Sequence, residues 1–256
     1  TRRRPHPVTD QPLSRESARS AIGRAAVEQF EARPRDTGIR RTGKPVAVSH
    51  EPQPTTEWVV VIPVKGTDDA KSRFGDSPQR AELALAIALD TVSSALAATS
   101  VIGVLVVTST AAAAGFDDLD ALVVVEEQPS GLATAIASGI AVAAELGAPG
   151  RGIAVLLGDL PALTPRELDL ALSAAAQHPL AMVADAAGAG TTLVTAADGR
   201  VHSTAFGPGS RRAHRAAGYT ELDVQADSGL RADVDTLDEL RALAPRVGPH
   251  TAALLA

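Results

Sequence analysis

Trp58-Val-Val-Val-Ile-Pro-Val-Lys-Gly-Thr-Asp-Asp-Ala-Lys-Ser-Arg-Phe74 changes character twice along its length. Val59 to Ile62 is an apolar, β-branched run, the pattern of a strand buried on both faces. A polar loop carrying Lys65, Lys71 and Arg73 follows, and then a long helical periodicity. A strand that empties into a cationic loop ahead of a helix is where open α/β sheets hold phosphates. The lysines of the chain are Lys44, Lys65 and Lys71, so both of those beyond residue 57 fall in this loop. An ammonium on a flexible stem is a compact point charge suited to phosphoryl oxygens. The plain alternative is a solvated loop that happens to hold them.

Beyond this segment, strands and helices alternate. Asp76-Ser77-Pro78 starts a helix whose Ala/Leu stripe runs to about Ala98. Val101 to Thr108 and Ala121 to Val125 read as strands, the second followed by Ser130-Gly131 and an Ala-rich helix from Leu132 to about Leu146. Ile153 to Leu157 is the next strand and ends in Gly158-Asp159-Leu160-Pro161. Thr164-Pro165-Arg166-Glu167 has the form of a capping box with proline at the first helical position. Leu180 to Ala184, Thr191 to Thr195 and Tyr219 to Val224 read as further strands, and Leu237, Leu240 and Leu243 mark a final helix. The pattern predicts an α/β protein with a mixed, mostly parallel central sheet flanked by helices.

Composition narrows the function. Of 256 residues 45% are hydrophobic but only 2% aromatic, so the core must be built of Ala, Val and Leu. With no cysteine there is no disulfide, thiolate metal site or cysteine nucleophile. No apolar run reaches the length of a membrane span, and the expected location is cytoplasmic. Residues 1–57 hold 11 Lys and Arg against 7 Asp and Glu, whereas the whole chain has net charge −6. This leaves an acidic body, which argues against nucleic acid as partner. Residues 1–57 read as a basic, mostly disordered extension, and residues 58–256 as the folded domain.

Asp159, at the carboxyl end of a buried strand, is placed to hold Mg²⁺, which takes one or two carboxylates plus substrate phosphates. Asp233 and Asp235 are an acidic pair at alternating spacing, so that one of them, Asp233, would share that ion while Asp235 caps the last helix. Gly207-Pro-Gly-Ser210 with Arg211 and Arg212 gathers amides, a hydroxyl and two guanidinium groups, a combination suited to a carboxylate or phosphate. Gly131 permits close backbone approach to a base or ribose. The bland readings are a turn-capping carboxylate for Asp159, a Gly/Pro turn with surface arginines for Gly207 to Arg212, and simple turn chemistry for Gly131. The six histidines show no zinc-ligand spacing, and no GxSxG elbow is present.

Val61-Ile-Pro-Val-Lys-Gly, Ala70-Lys-Ser-Arg, Gly131-Leu132, Gly158-Asp-Leu-Pro, the Gly207-to-Ser210 turn and Gly229-Leu-Arg-Ala-Asp-Val-Asp-Thr together resemble the 2-phospho-L-lactate / phosphoenolpyruvate guanylyltransferases of coenzyme F420 biosynthesis. The resemblance covers Trp58 to about Leu243. It implies a GT-A-like (Rossmann-like) nucleotidyltransferase fold and Mg²⁺-dependent transfer of GMP from GTP to phosphoenolpyruvate or 2-phospho-L-lactate. Pyrophosphate would leave, and the product would be enolpyruvoyl-2-diphospho-5'-guanosine or its lactyl counterpart, handed to a downstream transferase of that pathway. It further implies Asp159, Lys65 and Lys71 as catalytic residues, Asp159 and Asp233 as metal ligands, and Lys65, Lys71, Arg73 and Gly131 on the nucleotide. Thr192, Gly207 and Ser210 would bind phosphoenolpyruvate, with Thr191 the alternative to Thr192. Gly131-Leu132-Ala133-Thr134 departs from the family's common Gly-Leu-Asn-Ala and so lacks an Asn amide that could bond the nucleoside. Two other readings stay open: a molybdopterin or sugar-phosphate nucleotidyltransferase, and a non-catalytic GTP-binding subunit.

Overall fold

The computed structural model describes residues 56–64, 79–126, 131–146 and 150–255. Residues 1–55 of the expected extension, the loop bearing Lys65, Lys71 and Arg73, the Asp76-Ser77-Pro78 helix start and Ser130 lie outside the described residues. Among those described, the strands are β1 (Trp58–Pro63), β2 (Val101–Ser109), β3 (Leu122–Glu126), β4 (Gly152–Leu156), β5 (Leu180–Ala184), β6 (Thr191–Ala196) and β7 (Thr220–Glu221). They form one seven-stranded sheet in the order β3-β2-β1-β4-β6-β5-β7. The strands β3, β2, β1 and β4 run parallel to one another, and β6 is antiparallel to both β4 and β5. The expected mixed, mostly parallel sheet is therefore observed.

Every residue of β1 is buried, as its unbroken apolar run requires. Its two faces serve two cores. Trp58, Val60 and Ile62 pack with Ala88, Val92 and Ala95 of α1 (Gln79–Ala97), while Val59 and Val61 pack with Ala135, Ile136 and Ile140 of α3 (Leu132–Leu146). A short α2 (Thr110–Ala113) leaves β2 directly. Gly139 lets α3 approach the sheet, since a Cβ there would run into Val61 and Val107. The capping box expected at Thr164 opens α4 (Pro165–Ala175), with Thr164 and Glu167 bonded reciprocally.

The antiparallel insertion of β6 organises the functional edge. Because β6 runs against β4, its first residue, Thr191, lies at the carboxyl end of β4, beside Gly158 and Asp159. After β6 come α5 (Ser210–Ala216), α6 (Leu237–Leu243) and α7 (Pro249–Leu255). Two expectations need correction here. The strand read over Tyr219 to Val224 is only Thr220–Glu221. The cap of α6 is Thr236, in a second capping box with Glu239, not Asp235. Helix α7 went unread; its first turn is held by the buried carboxylate of Asp90, which accepts from His250 N (3.0 Å) and Thr251 N (2.8 Å).

Candidate active site

A cavity of about 390 Å³ opens at the carboxyl edge of the sheet. Its acidic wall is built from three separate segments. Asp159 follows β4 through Gly158, where a Cβ would meet Pro63 O at 3.1 Å, so the small residue keeps this turn tight against β1. The buried Thr91 hydroxyl of α1 accepts from Leu160 N (3.1 Å) and lies 3.3 Å from Gly158 O, bracing the turn on both sides of Asp159. Val234 N donates to Asp159 O (3.1 Å), which seats the Asp233–Asp235 segment against it. That segment is not a strand, so the alternation expected of it fails, and both Asp233 and Asp235 line the cavity. Asp185 lines it too, its carboxylate accepting from Ala189 N (2.9 Å) and Gly190 N (2.7 Å). Burial first, and the neighbouring Asp185 charge second, push the Asp233 carboxyl up to about 6.

Opposite stands a wall of hydroxyls and backbone. Thr191 and Ser210 line the cavity with Gly207, Pro208 and Gly209, and Ser210 Oγ lies 3.2 Å from Thr191 Oγ1. Gly207 (φ 118°) and Gly209 (φ 75°) hold left-handed conformations that other residues adopt only with strain. The structure places Thr192 elsewhere. Its hydroxyl is fully buried on the far face of β6 and donates to Leu230 O (2.7 Å), so Thr191 is the threonine whose side chain reaches the cavity. The reason is the strand's period of two, which sends neighbours to opposite faces.

The guanidinium groups expected beside Ser210 do not face this cavity. Arg211 is engaged by Glu221 (2.8 and 3.0 Å) and by Gly188 O (2.9 Å), and Arg212 is exposed. The turn's amides are partly used as well, since Ser210 N donates to Gly207 O (3.0 Å). On the side expected for the nucleotide, Gly131 has φ 97° with open space where a Cβ would stand, and Leu132 and Val64 line the cavity. Val64 immediately precedes Lys65, which with Lys71 and Arg73 is outside the described residues. Asp185 and His214 escaped sequence reasoning. Asp185 heads a loop of small residues, Ala186 to Gly190, and accepts from the amides four and five residues on, and an Asp ahead of such a loop was a usable signal.

The acidic wall fits a divalent cation. A half-buried carboxyl whose ionisation is suppressed by desolvation and by a second carboxylate gains most from a positive charge beside it. Asp159 and Asp233 are the expected pair that could hold one, with Asp185, already bonded to two loop amides, and Asp235 on the same wall. Among the described residues no group of three or more His, Asp or Glu side chains is placed to hold a metal alone.

Residues 71–234 match the MobA-like NTP transferase domain. The chain is 49% identical over 211 residues to a phosphoenolpyruvate guanylyltransferase of Streptomyces scabiei, covering 78% of this chain and 96% of that protein. It is 46% identical over 215 residues to one of Thermomonospora curvata, covering 82% and 93%. Among solved structures it resembles a 4-diphosphocytidyl-2C-methyl-D-erythritol synthase (TM-score 0.54, 12% identity, 78% of this chain and 100% of that one). A putative nucleotide-diphospho-sugar transferase from Desulfovibrio desulfuricans G20 aligns with TM-score 0.53 at 18% identity, over 78% and 94%. At such identities the likeness to these two structures is one of fold.

Proposed function

Since this chain belongs to the phosphoenolpyruvate guanylyltransferase family, within the MobA-like NTP transferases, we propose that it transfers GMP from GTP to phosphoenolpyruvate. The observation that carries this reading is the meeting of two unlike walls in one cavity: Asp159 and Asp233 on one side, Thr191, Gly207 and Ser210 on the other. A phosphate oxygen of the acceptor attacks the α-phosphorus of GTP, a new P–O bond forms, the α–β bond breaks and pyrophosphate leaves. Little covalent work falls to the protein, whose task is to align two anions and hold them in line. Asp159 and Asp233 would hold Mg²⁺, which when bound neutralises phosphate charge and polarises phosphoryl oxygens. The hydroxyls of Thr191 and Ser210 orient the acceptor. Lys65, Lys71 and Arg73 are assigned to the triphosphate from sequence, and Gly131 to the nucleoside. The diphosphate-linked product serves coenzyme F420 assembly, by a downstream transferase.

The test is pyrophosphate release in Mg²⁺ with phosphoenolpyruvate or 2-phospho-L-lactate, comparing GTP, ATP and CTP. Release with GTP and phosphoenolpyruvate is expected. Release only with 2-phospho-L-lactate moves the acceptor, and release only with another nucleotide overturns the guanylyl reading.

A further inference from the structure

His214 is fully buried on α5, behind the hydroxyl wall, and its two ring nitrogens have different partners. Nε2 lies 2.8 Å from the backbone N of Ala205, and Nδ1 lies 3.1 Å from Thr191 Oγ1. A backbone N–H can only donate, so Nε2 must be the bare, accepting nitrogen. The ring's single proton then sits on Nδ1 and is donated to Thr191 Oγ1. An imidazolium would set a second N–H against that of Ala205, and burial, followed by the charge of His202, brings the His214 pKa down to about 4. The ring is fixed in place edge-on to Phe206 (centroids 5.3 Å) and tilted against Tyr219 (5.1 Å).

This tautomer settles a proton count in the cavity. Thr191 and Ser210 own one hydroxyl proton each, and one of the two is used in the contact between them. Were Nδ1 an acceptor, Thr191 would give it the other proton, and the wall would face substrate with lone pairs alone. With Nδ1–H donating, the second proton has no acceptor among the hydrogen bonds of the described residues and is left for the cavity. It is carried by Thr191 if Ser210 donates to it, and by Ser210 if the donation is reversed.

We propose that His214 is a positioning residue for the acceptor: through Thr191 it keeps one hydroxyl proton of the Thr191–Ser210 pair turned toward the cavity, as a donor to an anionic oxygen of the substrate. The inference rests on the acceptor pocket proposed above and adds the device that sets its polarity. A carboxylate or phosphate oxygen needs donors and is repelled by lone pairs, so the backbone amide of Ala205, out of the cavity, determines what the cavity can bind.

The experiment uses the full chain. Nitrogen-15 NMR of the histidine rings reads the tautomer, and steady-state kinetics read KM for phosphoenolpyruvate and for GTP in wild type, His214→Asn, His214→Phe and the double variant Thr191→Val with Ser210→Ala. The expected result is a proton on Nδ1 of His214, and a KM for phosphoenolpyruvate raised about ten- to hundredfold in His214→Phe, where no N–H turns the Thr191 hydroxyl outward, and in the double variant, which owns neither hydroxyl, the range for a hydrogen bond to a charged group. His214→Asn, whose amide N–H can replace Nδ1–H, should recover most of the loss seen in His214→Phe, and KM for GTP should stay constant throughout. A proton on Nε2, an unchanged KM for phosphoenolpyruvate in His214→Phe or in the double variant, or equal losses for both substrates would each overturn the proposal. If His214→Phe does not fold, the double variant and His214→Asn decide alone. Failure of the wild type to use or bind phosphoenolpyruvate would sink the acceptor reading and this proposal together, whereas normal wild-type kinetics with indifferent variants would sink the proposal only.

Discussion

Val234 N donates a hydrogen bond of 3.1 Å to Asp159 O, joining the turn after β4 to the segment before α6. The bond is backbone to backbone, so it holds the Asp159 and Asp233 side chains on one cavity wall without using either carboxylate. Positioning and chemistry are thereby separated. Replacing Asp159 by Ala should remove turnover by about a thousandfold or more, the scale of losing a charge-neutralising ligand. Circular dichroism should be unchanged. Pyrophosphate release close to wild type would disprove the ligand assignment.

Asp233 pays in stability for its placement. Its folded pKa of about 6 lies above the ordinary 3.8, so as pH rises through this window the unfolded state gives up its proton first. Stability is thus lost between those two values and stays lower above the upper one. Asp233→Asn carries no such cost and, without divalent cations near neutral pH, should be more stable than wild type by about 1–2 kcal/mol. The advantage should fade as pH falls toward the ordinary carboxylate pKa. Urea titrations in chelator across this pH range measure it, and turnover of the variant should be lost.

His214 has the opposite sign. Its folded pKa of about 4 lies below the ordinary 6.5, because burial, and then the charge of His202, disfavour the cation. The neutral ring therefore adds stability in full above the unfolded pKa, and that stability is lost as pH falls toward the folded one. Relative to His214→Asn, the wild-type chain should lose about 2–3 kcal/mol on acidification through this interval. Paired denaturation curves at each pH give the difference directly.

Thr91 links α1 to the turn that presents Asp159. Thr91→Val keeps the shape but leaves the buried Leu160 N–H without its acceptor, at a cost of about 1–3 kcal/mol. Turnover should fall along with stability, although Thr91 is outside the cavity wall. A variant as stable and as active as wild type would show that the brace is dispensable.

At Gly139 two general effects compete. Gly to Ala inside a helix ordinarily stabilises by about 1 kcal/mol. Here the new methyl would collide with Val61 and would stand 2.8 Å from Val107 Cγ2, both stiff side chains of a full core. Overpacking costs about 1–3 kcal/mol, so Gly139→Ala should be net destabilising in a urea titration.

The fold was legible wherever a local rule had a single outcome. The unbroken run Val59 to Ile62 could only be a strand covered on both faces, and Thr164 with Glu167 could only open a helix. Gly158-Asp159 could be placed at the edge of the sheet because a buried strand ends there. The C-terminal helix α7 was missed because its first turn is capped by Asp90, a carboxylate distant in sequence.

Tertiary structure alone decided how the cavity wall is composed. Which of Thr191 and Thr192 faces it depends on the pairing of β6 with β4 and β5, and a shift of one residue exchanges them. Asp233 and Asp235 both reach it because their segment is held by Asp159 rather than by a strand ladder. Arg211 looked free for an anion, but its partners Glu221 and Gly188 are brought to it by β7 and the β5–β6 loop. Sequence determined which groups this protein owns and the edge on which it uses them. Their direction was decided only by folding, because side chains at strand ends and in loops point where distant hydrogen bonds hold the backbone.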